Sequence, residues 1–162
     1  MDRAAKAVEQ WKKERPDLDV SPMAVLGRLN EAAALISRER LVPLFSRFGL
    51  QAGEFDVLAT LRRSGPPYAL TPTALYEATM VTSGAMTNRL DRLERAGLIV
   101  RGPHPQDRRG VVVRLTEKGL ALIDEAVTAH VKNEWEILSG LTGKEQHVLA
   151  GLLEKLIASL RG

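Results

Sequence analysis

Between Val81 and Thr116 runs VTSGAMTNRLDRLERAGLIVRGPHPQDRRGVVVRLT, a helix with one polar edge followed by two β-rich runs around a turn rich in Pro and Arg. Met86, Leu90, Leu93 and Ala96 fall at spacings of three and four, which predicts one inward apolar face. Asn88, Arg89, Arg92 and Arg95 are left on other faces, and Gly97 is placed to end the helix. LIVRG and VVVRLT then predict two strands joined by GPHPQDRRG, a hairpin with a long tip. Upstream, Thr71 caps a short helix that begins at Pro72 and runs through LYEAT; Met80 and Val81 form the turn, and Thr82 or Ser83 caps the basic helix. Two short helices joined by a tight turn, the second one basic, make a helix-turn-helix with a wing.

Charge is concentrated on this stretch. Thr82 to Leu115 holds seven arginines (Arg89, Arg92, Arg95, Arg101, Arg108, Arg109, Arg114) against Asp91, Glu94 and Asp107, a net +4, while the whole chain carries +3. A positive helix and hairpin on an otherwise slightly acidic chain is the footprint of a surface that faces phosphate.

The flanking segments predict helices. Ala4, Val8 and Trp11 give a short amphipathic helix over Asp2 to Glu14, ended by ERPDLDVSP. Ser21 is the expected cap of the next helix, with Pro22 at its first position. Val25, Leu26, Leu29, Ala32, Ala33, Ile36, Leu41, Leu44, Phe45 and Phe48 sustain a helical period, with a kink expected at Pro43 and a stop at Gly49. QAGEFDVLATLRRSG gives a further helix with Phe55, Leu58 and Leu61 on one face. After the wing, one helix carries Leu120, Ile123, Val127, Val131, Trp135 and Leu138; Thr142 and Glu145 form a capping box for another. In that last helix Val148, Leu149, Leu152, Leu153, Leu156, Ile157 and Leu160 make a stripe that a second copy of the chain would cover. The expected fold is mainly α with a small β-hairpin wing: one domain over 1–162, with 1–48 and 117–162 as dimerisation helices and 51–116 as the winged helix-turn-helix.

Composition excludes several function classes. With no cysteine there is no disulfide, thiol nucleophile, Cys-ligated zinc or cysteine redox switch. No apolar run approaches the roughly 20 residues that span a bilayer, and the charged N-terminus lacks a signal core, so a cytoplasmic protein without membrane partners is expected. No G-x-S-x-G, phosphate loop or metal cluster points to an enzyme, and no cofactor is expected. His104, His130 and His147 are too scattered for a metal-ligand pattern; solvated histidines are the expectation, with a zinc site at a dimer interface left open.

A basic helix leads into the major groove with its N-terminal turn, so Ser83, Thr87 and Asn88 are the candidates for base edges or phosphates. Arg108 and Arg109 on the wing suit the narrow minor groove, and Asp107 can hold a neighbouring arginine in a fixed rotamer. For any single arginine a solvated helix edge is an equal alternative.

The run SGAMTNRLDRLERAGLIVRGPHPQDRRGVVVRLTEKG resembles the MarR family of winged-helix regulators, with D-x-R at Asp107 and Arg109 and LTxxG at Leu115 to Gly119. It departs at His104-Pro105, where many members have Asp-Pro. The resemblance implies a homodimer built from helices at both ends, a palindromic double-stranded DNA operator, Arg109 in the minor groove oriented by Asp107, and repression relieved by a small anion or a phenolic compound. A finer likeness is to the urate-responsive branch with an extra N-terminal helix, which places Trp11, Asp56, Arg89 and Arg101 at an anionic ligand; related members respond to citrate or trans-aconitate. An aromatic wall, two cations and a carboxylate suit an anionic heterocycle. The alternatives are Trp11 as a packing anchor and Asp56 in a structural ion pair. For the whole chain, a protein-interaction module using the C-terminal stripe is the competing function, but it leaves the charge between Arg89 and Arg114 without a role.

Overall fold

The structure, a computed structural model, describes residues 1–79, 83–106 and 110–162, with the backbone alone at 83 and 84. It divides into two compact units, Met1–Pro43 and Leu44–Gly162.

In the first unit α1 (Arg3–Glu14) packs on α2 (Ser21–Leu35). Asp2 caps α1, its Oδ1 accepting the Ala5 N–H at 2.8 Å, and its Oδ2 accepts from Arg28 Nε of α2 at 3.0 Å. A Cβ added to Gly27 would stand 3.1 Å from the Ala4 methyl, so small side chains set the approach of the two helices. Ser21 is not the cap that its sequence context predicts. It is the first helical residue, Val20 occupies the cap position, and Asp19 Oδ1 accepts the Ser21 N–H at 3.0 Å. An aspartate two residues upstream supplies the acceptor that a capping serine would have offered.

The long helical pattern is interrupted one turn before Pro43. Ile36–Leu41 forms a π-helical turn, α3 (Val42–Arg47) follows, and the Val42 N–H reaches the Ser37 carbonyl five residues back. Proline has no N–H and its ring crowds the carbonyl four residues before it, so a wider turn relieves the clash and absorbs the missing bond. The helix stops after α3 as expected: Gly49 has φ 69°, and the Leu50 N–H bonds to the Phe45 carbonyl at 3.0 Å.

The second unit continues with α4 (Ala52–Arg63), β1 (Ala69–Leu70), α5 (Pro72–Ala78), α6 (Ser83–Arg95), β2 (Ile99–Pro103), β3 (Val111–Leu115), α7 (Glu117–Ile137) and α8 (Gly143–Arg161). It is the expected class, mainly α with a small β wing, but the sheet has three strands in the order β1-β3-β2, all antiparallel. The wing register sets Ile99 opposite Leu115 and Pro103 opposite Val111; β1 adds Ala69 opposite Arg114. Two residues are too few for any alternation to announce a strand. Thr71 caps α5 through the Ala74 N–H at 3.1 Å, as the sequence indicates, whereas the expected turn and cap at Met80 to Thr82 lie outside the described residues.

The core lies where α4, α6, α7 and the sheet meet. Val57, Leu58 and Leu61 of α4, Met86, Leu90 and Leu93 of α6, Ile99, Val113 and Ile123 are all buried. Ala96 is exposed rather than inward. Gly97 turns the chain at φ 72° and Leu98 takes the last apolar position, with its N–H on the Leu93 carbonyl at 3.0 Å. In α7 Ile123 and Ala126 are buried, but Val131 and Trp135 of the predicted stripe are exposed, Trp135 by 66%. The α8 capping box forms, with the Thr142 N–H on Glu145 Oε2 at 2.8 Å, yet no residue of α8 is buried. Among the described residues no helix is long and apolar enough to cross a membrane.

Candidate nucleic-acid interface

Burial of Met86, Leu90 and Leu93 fixes the rotation of α6 and leaves Thr87 and Asn88 exposed on its outer surface. Those two sequence candidates stand free to meet a ligand. The side chain of Ser83, and Asp107, Arg108 and Arg109 entirely, lie outside the described residues.

One edge of α6 faces the start of α4. Glu54, only 2% exposed, accepts the Gln51 N–H at 2.8 Å through Oε2, and its Oε1 lies 2.9 Å from Arg92 Nε. That second contact is an ion pair without an aligned hydrogen bond, since Oε1 has no geometrically acceptable donor. Q-x-x-E at Gln51 to Glu54 is a capping pattern that could have marked Glu54 in the sequence. The Arg89 guanidinium lies across Gly53 so closely that a Cβ there would collide with it. Only glycine permits this approach. Arg89 Nη1 is buried and has no hydrogen-bond partner. Together Gln51, Ala85, Asn88, Arg89, Arg92 and Arg95 line an open concavity of about 420 Å³.

The other edge of α6 holds the wing. Arg101 of β2 donates from Nη2 to Asp91 Oδ1 at 2.6 Å and to Glu94 Oε2 at 2.7 Å, and from Nε to Glu94 Oε2 at 3.1 Å. Its backbone N–H also bonds Glu94 Oε1 at 3.0 Å. The Arg101 side chain first, and its N–H second, hold the Glu94 carboxyl below the usual glutamate range. The same bonds, to Glu94 and then to Asp91, raise the Arg101 guanidinium further above its ordinary value. Asp91 and Glu94 sit two and five residues after Arg89, about 200° and 140° around a helix of 3.6 residues per turn. Arg89 and Arg101 are therefore on opposite sides of α6. Of the remaining ligand candidates, Asp56 is half-buried on α4 one turn after Gly53, and Trp11 stands on α1 of the first unit, 47% exposed.

The end of α6 is secured by the LTEKG segment. Thr116 Oγ1 accepts the Gly119 N–H at 2.9 Å to cap α7 and donates to the Gly97 carbonyl at 2.7 Å. The Thr116 N–H bonds the Leu98 carbonyl at 3.1 Å, and Lys118 Nζ donates to the Ala96 carbonyl at 2.9 Å. Gly119 presses on the Leu98 carbonyl so tightly that any Cβ would collide with it. The motif that resembled a family signature is a joint between the basic helix, the wing and α7.

The histidines need one correction. His130 is not solvated: it packs beside Phe45 and Phe55, with ring centroids 5.5 and 4.9 Å away, and its Nε2 lies 3.1 Å from Glu134 Oε1. A single histidine at helical spacing carries no sign of this without the fold. His104 Nδ1 accepts the Gln106 N–H at 3.1 Å, and His147 is exposed. Among the described residues no group of three or more His, Cys, Asp or Glu is placed to hold a metal.

Known proteins are similar to this chain in sequence and in fold. A sequence profile of the MarR family matches residues 48–110, the segment carrying the helix-turn-helix and the first wing strand. The chain is 48% identical over 149 residues to the HTH-type transcriptional regulator PecS of Dickeya dadantii, covering 92% of this chain and 89% of that one. A mutant MarR of E. coli, crystallised with operator DNA, superposes with a TM-score of 0.71 at 30% identity, covering 90% of this chain and 96% of that one. Bordetella bronchiseptica BpsR, whose DNA binding is regulated by 6-hydroxynicotinic acid, gives a TM-score of 0.68 at 29% identity, covering 82% and 91%. These relatives are regulators rather than enzymes. The chain belongs to the MarR family of winged helix-turn-helix transcriptional regulators.

Proposed function

We propose that the protein is a repressor that binds a palindromic operator as a homodimer and leaves it when a small organic anion binds. The observation that carries the DNA reading is the placement of Thr87, Asn88, Arg92 and Arg95 on the exposed faces of a helix whose apolar side is committed to the core. Thr87, Asn88 and the N-terminal turn around Ser83 read the major groove. Arg108 and Arg109, between β2 and β3 in the sequence, enter the flanking minor groove with Asp107 orienting them. The E. coli MarR structure with operator DNA supports this assignment by analogy. The exposed stripe on α8, with Leu152 at 61% and Leu160 at 76%, supports a second copy as partner.

The ligand is assigned to Arg89. A buried guanidinium N–H lacking an acceptor costs about 1–3 kcal/mol, and an oxyanion oxygen in the adjacent concavity would recover it. Urate or a related purine or organic acid fits, and BpsR's response to 6-hydroxynicotinic acid, an anionic heteroaromatic, favours that class over a phenol or a tricarboxylate. Drawing Arg89 toward a ligand strains α6, so ligand and DNA oppose one another by linkage.

Binding to the duplex beside its own gene, titrated against salt, tests the DNA reading: a slope of about −0.9 per neutralised phosphate is expected, and salt-independent binding would overturn it in favour of a protein-interaction module. Calorimetry with urate, 6-hydroxynicotinate and citrate tests the ligand. Silence with all three, or undiminished binding in Arg89→Ala, removes the anion site.

A further inference from the structure

We infer that Arg101 is a positioning residue, which locks the first wing strand to the recognition helix so that helix and wing meet DNA as one body. The inference rests on the DNA-binding reading above. β2 is an edge strand, paired with β3 on one side only. Its outer edge at Arg101 is closed by α6, because the Arg101 N–H is bonded by Glu94 and not by another strand. The guanidinium adds Glu94 a second time and Asp91 one turn earlier, so a single strand residue grips two carboxylates three residues apart on the helix. Arginine's rigid fork suits this grip, since lysine cannot span two acceptors in fixed directions.

Energetics separate this role from folding. The three side chains are partly exposed, at 32% for Arg101, 40% for Asp91 and 37% for Glu94, so solvent screens the network and it adds little to global stability. The core already fixes α6. What the network adds is direction further out: Ile99 and Val113 anchor the base of the hairpin in the core, whereas at Arg101 the outer edge of β2 is held to α6 by Asp91 and Glu94. Asp91 and Glu94 also stand on a helix that approaches phosphates, where an acid without a compensating role would repel DNA.

That repulsion gives the test its sign. Operator affinity is measured by fluorescence anisotropy on the intact protein for Arg101→Gln, Arg101→Lys, the double variant Asp91→Asn/Glu94→Gln, and all three neutral changes combined. Removing two acids from a DNA-facing helix tightens binding if electrostatics alone matters. A positioning lock predicts the opposite: both Arg101→Gln and the double carboxamide weaken binding by about tenfold, and the combination is no worse than Arg101→Gln alone, as residues in one network are non-additive. Arg101→Lys recovers only part of the loss. Amide hydrogen exchange in DNA-free protein should rise along β2 in the same variants while α6 stays protected. Equal or tighter binding by the double carboxamide, full recovery by lysine, or losses that multiply in the combined variant would each overturn the lock and leave Arg101 as a simple charge. Wild-type protein that fails to bind its operator would instead overturn the DNA reading itself.

Discussion

The α6–wing joint and α8 answer the same problem in opposite ways. Asp91 and Glu94 are met by Arg101, Glu54 by Arg92 and the Gln51 N–H, and the α6 end carbonyls by Thr116 and Lys118, all from the second unit itself. In α8 the cap is satisfied but the apolar stripe of Val148, Leu149, Leu152, Ile157 and Leu160 stays exposed. A surface that must present polar groups in fixed directions needs internal anchors, because its ligand arrives late. In the proposed dimer, α8 would leave the covering of its stripe to the second copy.

The comparison breaks hardest at α8. Leu152→Asp puts a charge in the stripe and should convert a dimer to a monomer by light scattering. Operator affinity then falls by the effective-concentration gain of two linked half-sites, on the order of 10²–10⁴-fold. An unchanged dimer mass would assign the stripe to another partner. At the joint, Gly119→Ala drives a Cβ into the Leu98 carbonyl and should cost about 1–3 kcal/mol in chemical denaturation, with the dimer retained in the folded fraction. A wild-type midpoint would mean that the joint yields freely. Thr142→Ala removes the α8 cap and should cost about 1 kcal/mol; no change would show that the dimer alone holds this helix end.

Acid has the smallest effect, and its sign is set by two carboxyls. Glu94 is held low by the Arg101 side chain and N–H, Glu145 by the Thr142 N–H and then its hydroxyl. A carboxyl whose folded pKa lies below its unfolded value contributes stability above the unfolded value, near 4.5 here, and loses it as pH falls through the folded one. Melting temperature should thus decline below about pH 4.5, less steeply in Glu94→Gln and in Glu145→Gln. A decline of the same slope in both variants would assign acid sensitivity to other groups.

Much of the fold was legible where local chemistry repeats. Phe55, Leu58 and Leu61 fall on a helical period and are buried, and Thr71 and Thr142 cap where their neighbours allow it. Ser21 misled because Asp19 offers an acceptor that periodicity does not reveal, and β1 escaped because a two-residue strand has no pattern. At the site, Thr87 and Asn88 could be placed from the helix alone, since an apolar face leaves a defined polar remainder. Arg101 could not be assigned in the same way. The family likeness groups it with Arg89, while the structure sets it on the far side of α6, on Asp91 and Glu94.

The sequence by itself determined the mainly α architecture, the basic helix followed by a hairpin, and the need to cover an apolar C-terminal stripe. Period, caps and net charge are local quantities that survive in a string of letters. Only the tertiary structure decided which charges are spent on one another: Arg101 on Asp91 and Glu94, Arg92 on buried Glu54, and Arg89 across Gly53 with one N–H left without a partner. Pairing depends on distance and burial, and both are fixed by how helices and strands pack.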